Sequence, residues 1–270
     1  MCHRYWYPTS EHRRPNCQMG AHILRHHSSC NIILYFHFLL LLPFNASMTS
    51  AFSSQTLTVI GGGQVGSTLA DSILKSGQVG TVLIAARDVN KTKSKLEEMG
   101  KGHLTVQEST IAIAAASVLI LATVSIQNDN DLKEMIESLG DLSNKILIDA
   151  TNPLSEFSDG LQVRWKQGTS AGEYIQSLLP NTKVYKAFNT LGVEHMSDGT
   201  GKDMMYAGPD KDIAPIVASI GYRPIYVGPI RYARNLEAIA ELWIHCAVPP
   251  LQGNYLGRDW TFGIAGKMEE

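Results

Sequence analysis

The sequence predicts an α/β fold, a parallel sheet covered by helices on both faces, followed by a smaller mixed lobe. Three observations carry this. Short, continuously apolar runs alternate with amphipathic stretches from Leu57 onward, a glycine-rich turn follows the first run directly, and the pattern changes beyond Asn189. Strands that are apolar along their whole length are covered on both faces, which is how parallel βαβ units read in sequence.

LTVI (57–60) is the first strand, and the helical period over 64–76 follows at once. TVLIAA (81–86), a helix over 90–99 and HLTV (103–106) continue the alternation. ASVLILAT (116–123), a helix over 127–139, KILIDA (145–150) and KVYKAF (183–188) supply the other half of the sheet. Ser170 with Glu173 three residues later is a capping-box pair, opening a helix that runs to about Leu179 and stops at Pro180. The lobe is expected to hold MMYAG (204–208), a helix over 209–220, the strand RPIYVG (223–228) and a last helix over 232–247. Gly, Trp260 and Phe262 in the tail read as a packed loop.

With 270 residues, 44% hydrophobic and 18% charged, the chain can bury a substantial core. A net charge of -2 without any basic block argues against nucleic acid, whose phosphates demand clustered cations. Residues 1–47 stand apart: they hold four Arg, no Lys, six of the nine His and three of the four Cys. Their apolar run, 31–44, holds about a dozen apolar residues where a membrane helix needs about 20. It has the shape of a cleavable signal, and Met48 is the other natural start. The expected division is therefore a leader or upstream extension (1–47), a nucleotide-binding domain (48–190) and a C-terminal lobe (191–270). A start at Met48 implies a cytoplasmic, soluble protein, and a functional leader implies an organelle or the secretory route. No CxxC spacing suggests a metal, and a lone Cys246 in the body excludes a disulfide framework there.

The motif with chemical content is GGGQVG, with GxGxxG at Gly61, Gly63 and Gly66. Gly61 permits the tight turn, Gly63 lets backbone approach a pyrophosphate, and Gly66 lets the helix pack on the strand. Gly62, Gln64 and Val65 complete the phosphate-binding turn. In this context the fold is a Rossmann-type doubly wound sheet that binds a dinucleotide. About 20 residues further on, where an NAD-binding unit places an acid on the ribose, stands Ala86 followed by Arg87, with Lys91 one turn later. Those cations favour the 2′-phosphate of NADP(H).

Other strand ends point at the same crevice: Thr123-Val124-Ser125, Asn152 in DATNP, and Asn189-Thr190. Small polar groups of this kind suit the nicotinamide and its ribose, whereas acid-base chemistry would call for His, Lys, Tyr or a perturbed carboxylate. No catalytic residue is evident: Asp149 reads as structural, and His195, the best acid, as a packing residue. His103 and His245 also read as structural.

GGGQVG, AAR, DATNPL, AGEYIQSLLPNTKVYKAFNT, MMYAGPD and IGYRPIYVGPI together resemble the NADPH-dependent 8-hydroxy-5-deazaflavin (coenzyme F420) oxidoreductases and the related cytosolic domain of six-transmembrane metalloreductases. The likeness spans roughly 55–265. It implies hydride transfer between NADP(H) and a deazaflavin or flavin stacked on the nicotinamide. It also implies a phosphate turn at Gly62, Gly63, Gln64 and Val65, a 2′-phosphate site at Ala86, Arg87 and Lys91, and a second-substrate loop at Asn189, Thr190 and Leu191. The family commonly has Ser before that Arg, so Ala86 removes one hydroxyl contact. No segment after residue 50 reads as a membrane-spanning domain. Two alternatives are an imine or pyrroline-5-carboxylate reductase, which would add an all-helical dimerisation domain, and a non-catalytic NADP(H)-sensing module. The partner expected is a small-molecule redox acceptor, and the sequence does not decide between a monomer and a homodimer.

Overall fold

The computed structural model describes residues 52–123, 128–157, 160–165, 168–248 and 255–265, all within one compact unit, Pro43–Glu270. The leader expected over 1–47 lies outside the described residues, as do Val124 and Ser125. Among the described residues no helix is long and apolar enough to cross a membrane.

Six strands form the main sheet: β1 (Thr56–Ile60), β2 (Thr81–Ala86), β3 (Thr105–Glu108), β4 (Val118–Leu121), β5 (Ile146–Asp149) and β8 (Lys183–Lys186). They are all parallel, in the order β3-β2-β1-β4-β5-β8. This is the doubly wound order with its switch point between β1 and β4. The strands' period of two divides the core. Val59, Ile84, Ile120 and Ile148 face one layer, with Leu69 and Ile73 of α1 (Gln64–Ser76). Leu83, Leu119, Leu121 and Leu147 face the other, with Ala112 of α3 (Ser109–Ala115), Leu132 and Ile136 of α4 (Asp129–Glu137) and Ile175 of α5 (Ala171–Leu178).

The helix ends follow their local chemistry. Gly77 takes the left-handed conformation (φ 66°) that closes α1 and donates its N–H to the Leu74 carbonyl. The Asp88 carboxylate accepts from Lys91 N at 2.9 Å and so caps α2 (Val89–Glu98). Ser170 Oγ accepts from Glu173 N and donates to the Glu173 carboxylate, a capping pair that starts α5.

In the lobe, β9 (Asp203–Tyr206) and β10 (Arg223–Tyr226) pair in parallel across α6 (Ala214–Ser219), and α7 (Ala233–Ala247) closes the fold. An antiparallel bridge between Lys186 and Ala207 joins this pair to β8. Met204, Tyr206, Ile216 and Tyr222 enter the same apolar layer as Phe188 and Ile148.

Several elements differ from the sequence reading. The helix α3 and the hairpin β6 (Leu154–Phe157) and β7 (Gly160–Val163) were not anticipated. Seven and four residues are too few to establish a period. The third strand starts at Thr105 rather than 103. The helix expected over 209–220 begins only at Ala214. Asp210 instead folds its own turn, accepting from Asp212 N and binding Tyr185 Oη and Lys183 Nζ.

Candidate functional site

The turn between β1 and α1 shows which glycines the fold itself requires. Gly61 has φ 118°, and a Cβ there would lie 2.5 Å from the Ala122 carbonyl oxygen. A Cβ on Gly66 would collide with the Gly61 carbonyl oxygen and press on Val59, so helix and strand approach backbone to backbone. At Gly62 a Cβ would meet Thr92 Cγ2 at 2.7 Å. Gly63 is different: nothing lies within 4 Å of where its Cβ would be. It serves as the N-cap of α1 without any side-chain capping bond. The first N–H groups of a helix have no intrahelical partner, so Gln64, Val65 and Gly66 present donors and the positive end of the helix dipole beside an open cradle. Such a cradle fits a pyrophosphate.

Across the carboxyl edge of the sheet, the remaining predicted residues fall in order. Arg87 follows β2, the glycine turn follows β1, Thr123 follows β4, Asn152 follows β5 and Asn189 follows β8. From β2 to β5 is three strand spacings, about 14 Å, a span suited to an elongated, two-headed ligand. Arg87 and Lys91 are both exposed at the start of α2. The neighbouring Asp88 is committed to its capping bond, so its carboxylate turns toward helix backbone.

At the β4–β5 end, Thr123, Thr151, Pro153, Leu121, Leu132 and Met135 line a narrow crevice. The Thr123 hydroxyl is buried and has no hydrogen-bond partner among the described residues. Asn189 Nδ2 donates to the Leu236 carbonyl at 3.0 Å and to Asn152 Oδ1 at 3.4 Å, while its Oδ1 is likewise buried and unpartnered. Thr190 and Leu191 are buried, Leu191 within the apolar core. Phe188, just before this loop, holds φ 63°, which an L residue rarely adopts. The Met204 sulfur accepts its N–H and Tyr222 packs on its ring, so surrounding contacts hold the turn that sets Asn189.

Beneath this edge lies a buried charged cluster that sequence reasoning missed. Lys186 Nζ donates to Asp149 Oδ2 at 2.8 Å, to the Thr151 carbonyl at 2.7 Å and lies 3.1 Å from Glu237 Oε1. All three charged side chains are fully buried. Asp149 Oδ1 accepts from Thr151 N and Oγ1. Glu237 accepts from the N–H groups of Ala171 and Gly172, at the start of α5. Burial pushes the Glu237 carboxyl up; Lys186 opposes the rise and Asp149 adds to it. Burial alone would lower Lys186, but the two carboxylates outweigh it and hold the ammonium above its ordinary value. Signals for the cluster existed: Lys186 interrupts a buried strand, and Glu237 sits on the apolar stripe of α7 with Ala233, Leu236 and Ala240.

The histidines carry structural bonds. His195 Nε2 lies 3.0 Å from the Arg258 carbonyl, so that nitrogen carries the hydrogen and donates it. His103 pairs with Asp71 at 2.7 Å on the flank of α1, and His245 lies in the last turn of α7. Among the described residues no cluster of His, Cys, Asp and Glu could hold a metal ion.

The strand order, the glycine turn and the open helix N-terminus define a dinucleotide-binding domain of the Rossmann class. Residues 56–153 match the family NADP oxidoreductase, coenzyme F420-dependent. An assigned F420-dependent NADP-reductase from Arthrobacter sp. FB24 is 26% identical, with 71% of this chain and 93% of that one covered and a TM-score of 0.59. The hypothetical protein SMa0349 from Sinorhizobium meliloti is 25% identical over 66% of this chain and 87% of its own, with a TM-score of 0.55. A reductive aminase from Aspergillus terreus, solved with NADPH and ethyl-5-oxohexanoate, shares the fold at 18% identity and a TM-score of 0.51, covering 72% of this chain and 65% of that one. No curated protein matches the sequence.

Proposed function

We propose that the protein transfers a hydride between NADP(H) and a deazaflavin or flavin that stacks on the nicotinamide. The observation that carries this reading is the likeness to the Arthrobacter protein, which extends over 93% of that chain and therefore includes the lobe as well as the nucleotide-binding half. Bound NADPH would supply the hydride.

The chain's own residues bind and orient. Gly62, Gly63, Gln64 and Val65, with the flanking Gly61 and Gly66, hold the pyrophosphate through backbone N–H groups. Arg87 and Lys91 hold the 2′-phosphate. Thr123 and Asn152 orient the nicotinamide end, with Val124 and Ser125 assigned there from sequence. Asn189, Thr190 and Leu191 border the second ring. Ring-to-ring hydride transfer depends on proximity and alignment, which can account for several kcal/mol of barrier lowering. This suits an edge whose titratable groups, Asp149 and Lys186, are buried and paired with each other.

The imine-reductase alternative is less well supported. The aminase likeness leaves a third of that chain uncovered, and the lobe here contains the strands β9 and β10. The test is rapid mixing of the protein and NADPH with riboflavin, FMN, FAD and 8-hydroxy-5-deazaflavin, following loss of NADPH absorbance. Fast oxidation by one of them is expected. Tight NADPH binding without oxidation by any of the four would overturn the proposal and favour an imine reductase or a sensor.

A further inference from the structure

Arg164 follows β7 at the β4–β5 end of the crevice, and neither of the functions described so far uses it. Its side chain is only 8% exposed. Nη1 donates to Asp129 Oδ1 at 2.7 Å, but Nε and Nη2 are buried with no hydrogen-bond partner among the described residues. These two atoms form one edge of the guanidinium, the edge that receives a carboxylate or phosphate through two parallel hydrogen bonds. The plane is fixed by the Trp165 ring, 4.3 Å beneath it, and Trp165 rests on Tyr174 at 5.1 Å. Trp165 Nε1 and Thr123 Oγ1 are also buried, with no partner among the described residues. Arg and Trp can only donate, and Thr can donate as well. Arg164 and Thr123 line one crevice, and unmatched donors there call for an anionic acceptor.

We infer that Arg164, on the crevice that Thr123 also lines, forms a subsite for a two-oxygen anionic group, a carboxylate or phosphate, carried by the second substrate. The dinucleotide does not supply this anion. Its pyrophosphate belongs at the glycine turn after β1 and its 2′-phosphate at Arg87 after β2, while the nicotinamide carboxamide is neutral. The inference rests on the dinucleotide reading only for this assignment of ends. It narrows the acceptor to one bearing an acidic group, held through the Nε–Nη2 edge while Asp129 keeps Nη1.

The Arg164 Nε–Hε signal of the isotope-labelled full chain, assigned by its loss in Arg164→Lys, provides a readout that needs no turnover. Titrating the NADP⁺ complex with benzoate, a planar carboxylate probe, should shift this signal saturably. A second arm compares riboflavin with FMN, which adds a phosphate to the same ring. Arg164→Lys should raise KM for FMN by about tenfold or more, as expected for a lost bidentate charged pair, while leaving riboflavin and NADPH affinity within about twofold.

The inference is overturned if neither benzoate nor inorganic phosphate moves the signal. It is equally overturned if NADP⁺ alone produces the shift, or if Arg164→Lys weakens NADPH tenfold, since Arg164 would then belong to the dinucleotide site. A benzoate response without oxidation of NADPH by any flavin or deazaflavin keeps the subsite and removes the proposed acceptor ring. Rapid flavin or deazaflavin reduction with no anion response at Arg164 does the reverse.

Discussion

Lys186 and Asp149 lie 2.8 Å apart, both fully buried, on adjacent strands β8 and β5 where these leave the sheet. The same ammonium holds the Thr151 carbonyl, and the same carboxylate holds Thr151 N. The pair therefore fixes the 149–152 turn, whose Thr151 lines the crevice. Removing the cation strands two buried carboxylates, so Lys186→Met should lower stability by about 3–5 kcal/mol, read as a fall in the urea midpoint. Glu237 adds a pH signature. Its carboxyl is raised by burial, so the folded state holds that proton more tightly than the unfolded state. Stability is lost as pH rises from the ordinary Glu value, about 4.3, through the folded one. The stability difference between wild type and Glu237→Gln should fall with pH across that window, and a flat difference would refute the raised carboxyl.

The glycine turn separates folding from binding. Gly66→Ala drives a Cβ into the Gly61 carbonyl, and overpacking of this kind costs about 1–3 kcal/mol or more. Gly63→Ala has open space around its Cβ, so it should unfold within about 0.5 kcal/mol of wild type. The new methyl would nevertheless occupy the cradle assigned to pyrophosphate, and NADPH affinity in a calorimetric titration should fall by about tenfold or more. Retained affinity in Gly63→Ala would mean that the cradle is not the phosphate site.

The proposed 2′-phosphate site makes cofactor choice depend on Arg87. The capping bond of Asp88 to Lys91 N occupies that carboxylate, leaving Arg87 and Lys91 as exposed cations at the β2 end. A hydrogen bond to a charged group contributes about 1.5–3 kcal/mol, so Arg87→Ala should weaken NADPH by roughly tenfold and NADH little. Equal losses for both, by the same titration, would show that the 2′-phosphate lies elsewhere.

The legible part of this molecule is the part governed by local rules. Six continuous apolar runs gave the parallel sheet, and the steric needs of Gly61 and Gly66 are written in their spacing. The Ser170–Glu173 capping pair and the packed tail around Trp260 were readable for the same reason. The charged cluster was not, because its members lie at 149, 186 and 237 and only the crossing of β5, β8 and α7 unites them. Arg164 was hidden likewise: its meaning comes from unmatched N–H groups and from a crevice it shares with Thr123, forty-one residues away in sequence. Asn189 could be read as a strand-end amide, but its buried, open Oδ1 depends on Leu236 and Asn152 claiming the other end.

The tail offers a second pH test, of opposite sign. Arg223 holds Asp203 through two hydrogen bonds, at 2.7 and 2.8 Å, and also donates to the Ile264 carbonyl, while Asp203 Oδ2 accepts from Ile264 N. One carboxylate thus fastens the 255–265 segment to β9 and β10. The Arg223 hydrogen bonds hold its pKa below the ordinary value, with burial opposing and the Ile264 N–H assisting. A depressed carboxyl stabilises fully above the unfolded value, about 3.9, and loses that contribution as pH falls through the folded value. Trp260, stacked on Trp243 at a centroid distance of 5.9 Å, reports whether the segment is docked. Its fluorescence should hold constant from neutrality to about pH 4 and change below it. Asp203→Asn should show the undocked signal already at neutral pH, because the neutral amide weakens the charged pair and turns an N–H toward one of its two donors. If the variant keeps the wild-type spectrum and the wild-type acid transition, the Trp243–Trp260 contact rather than Asp203 fastens the tail.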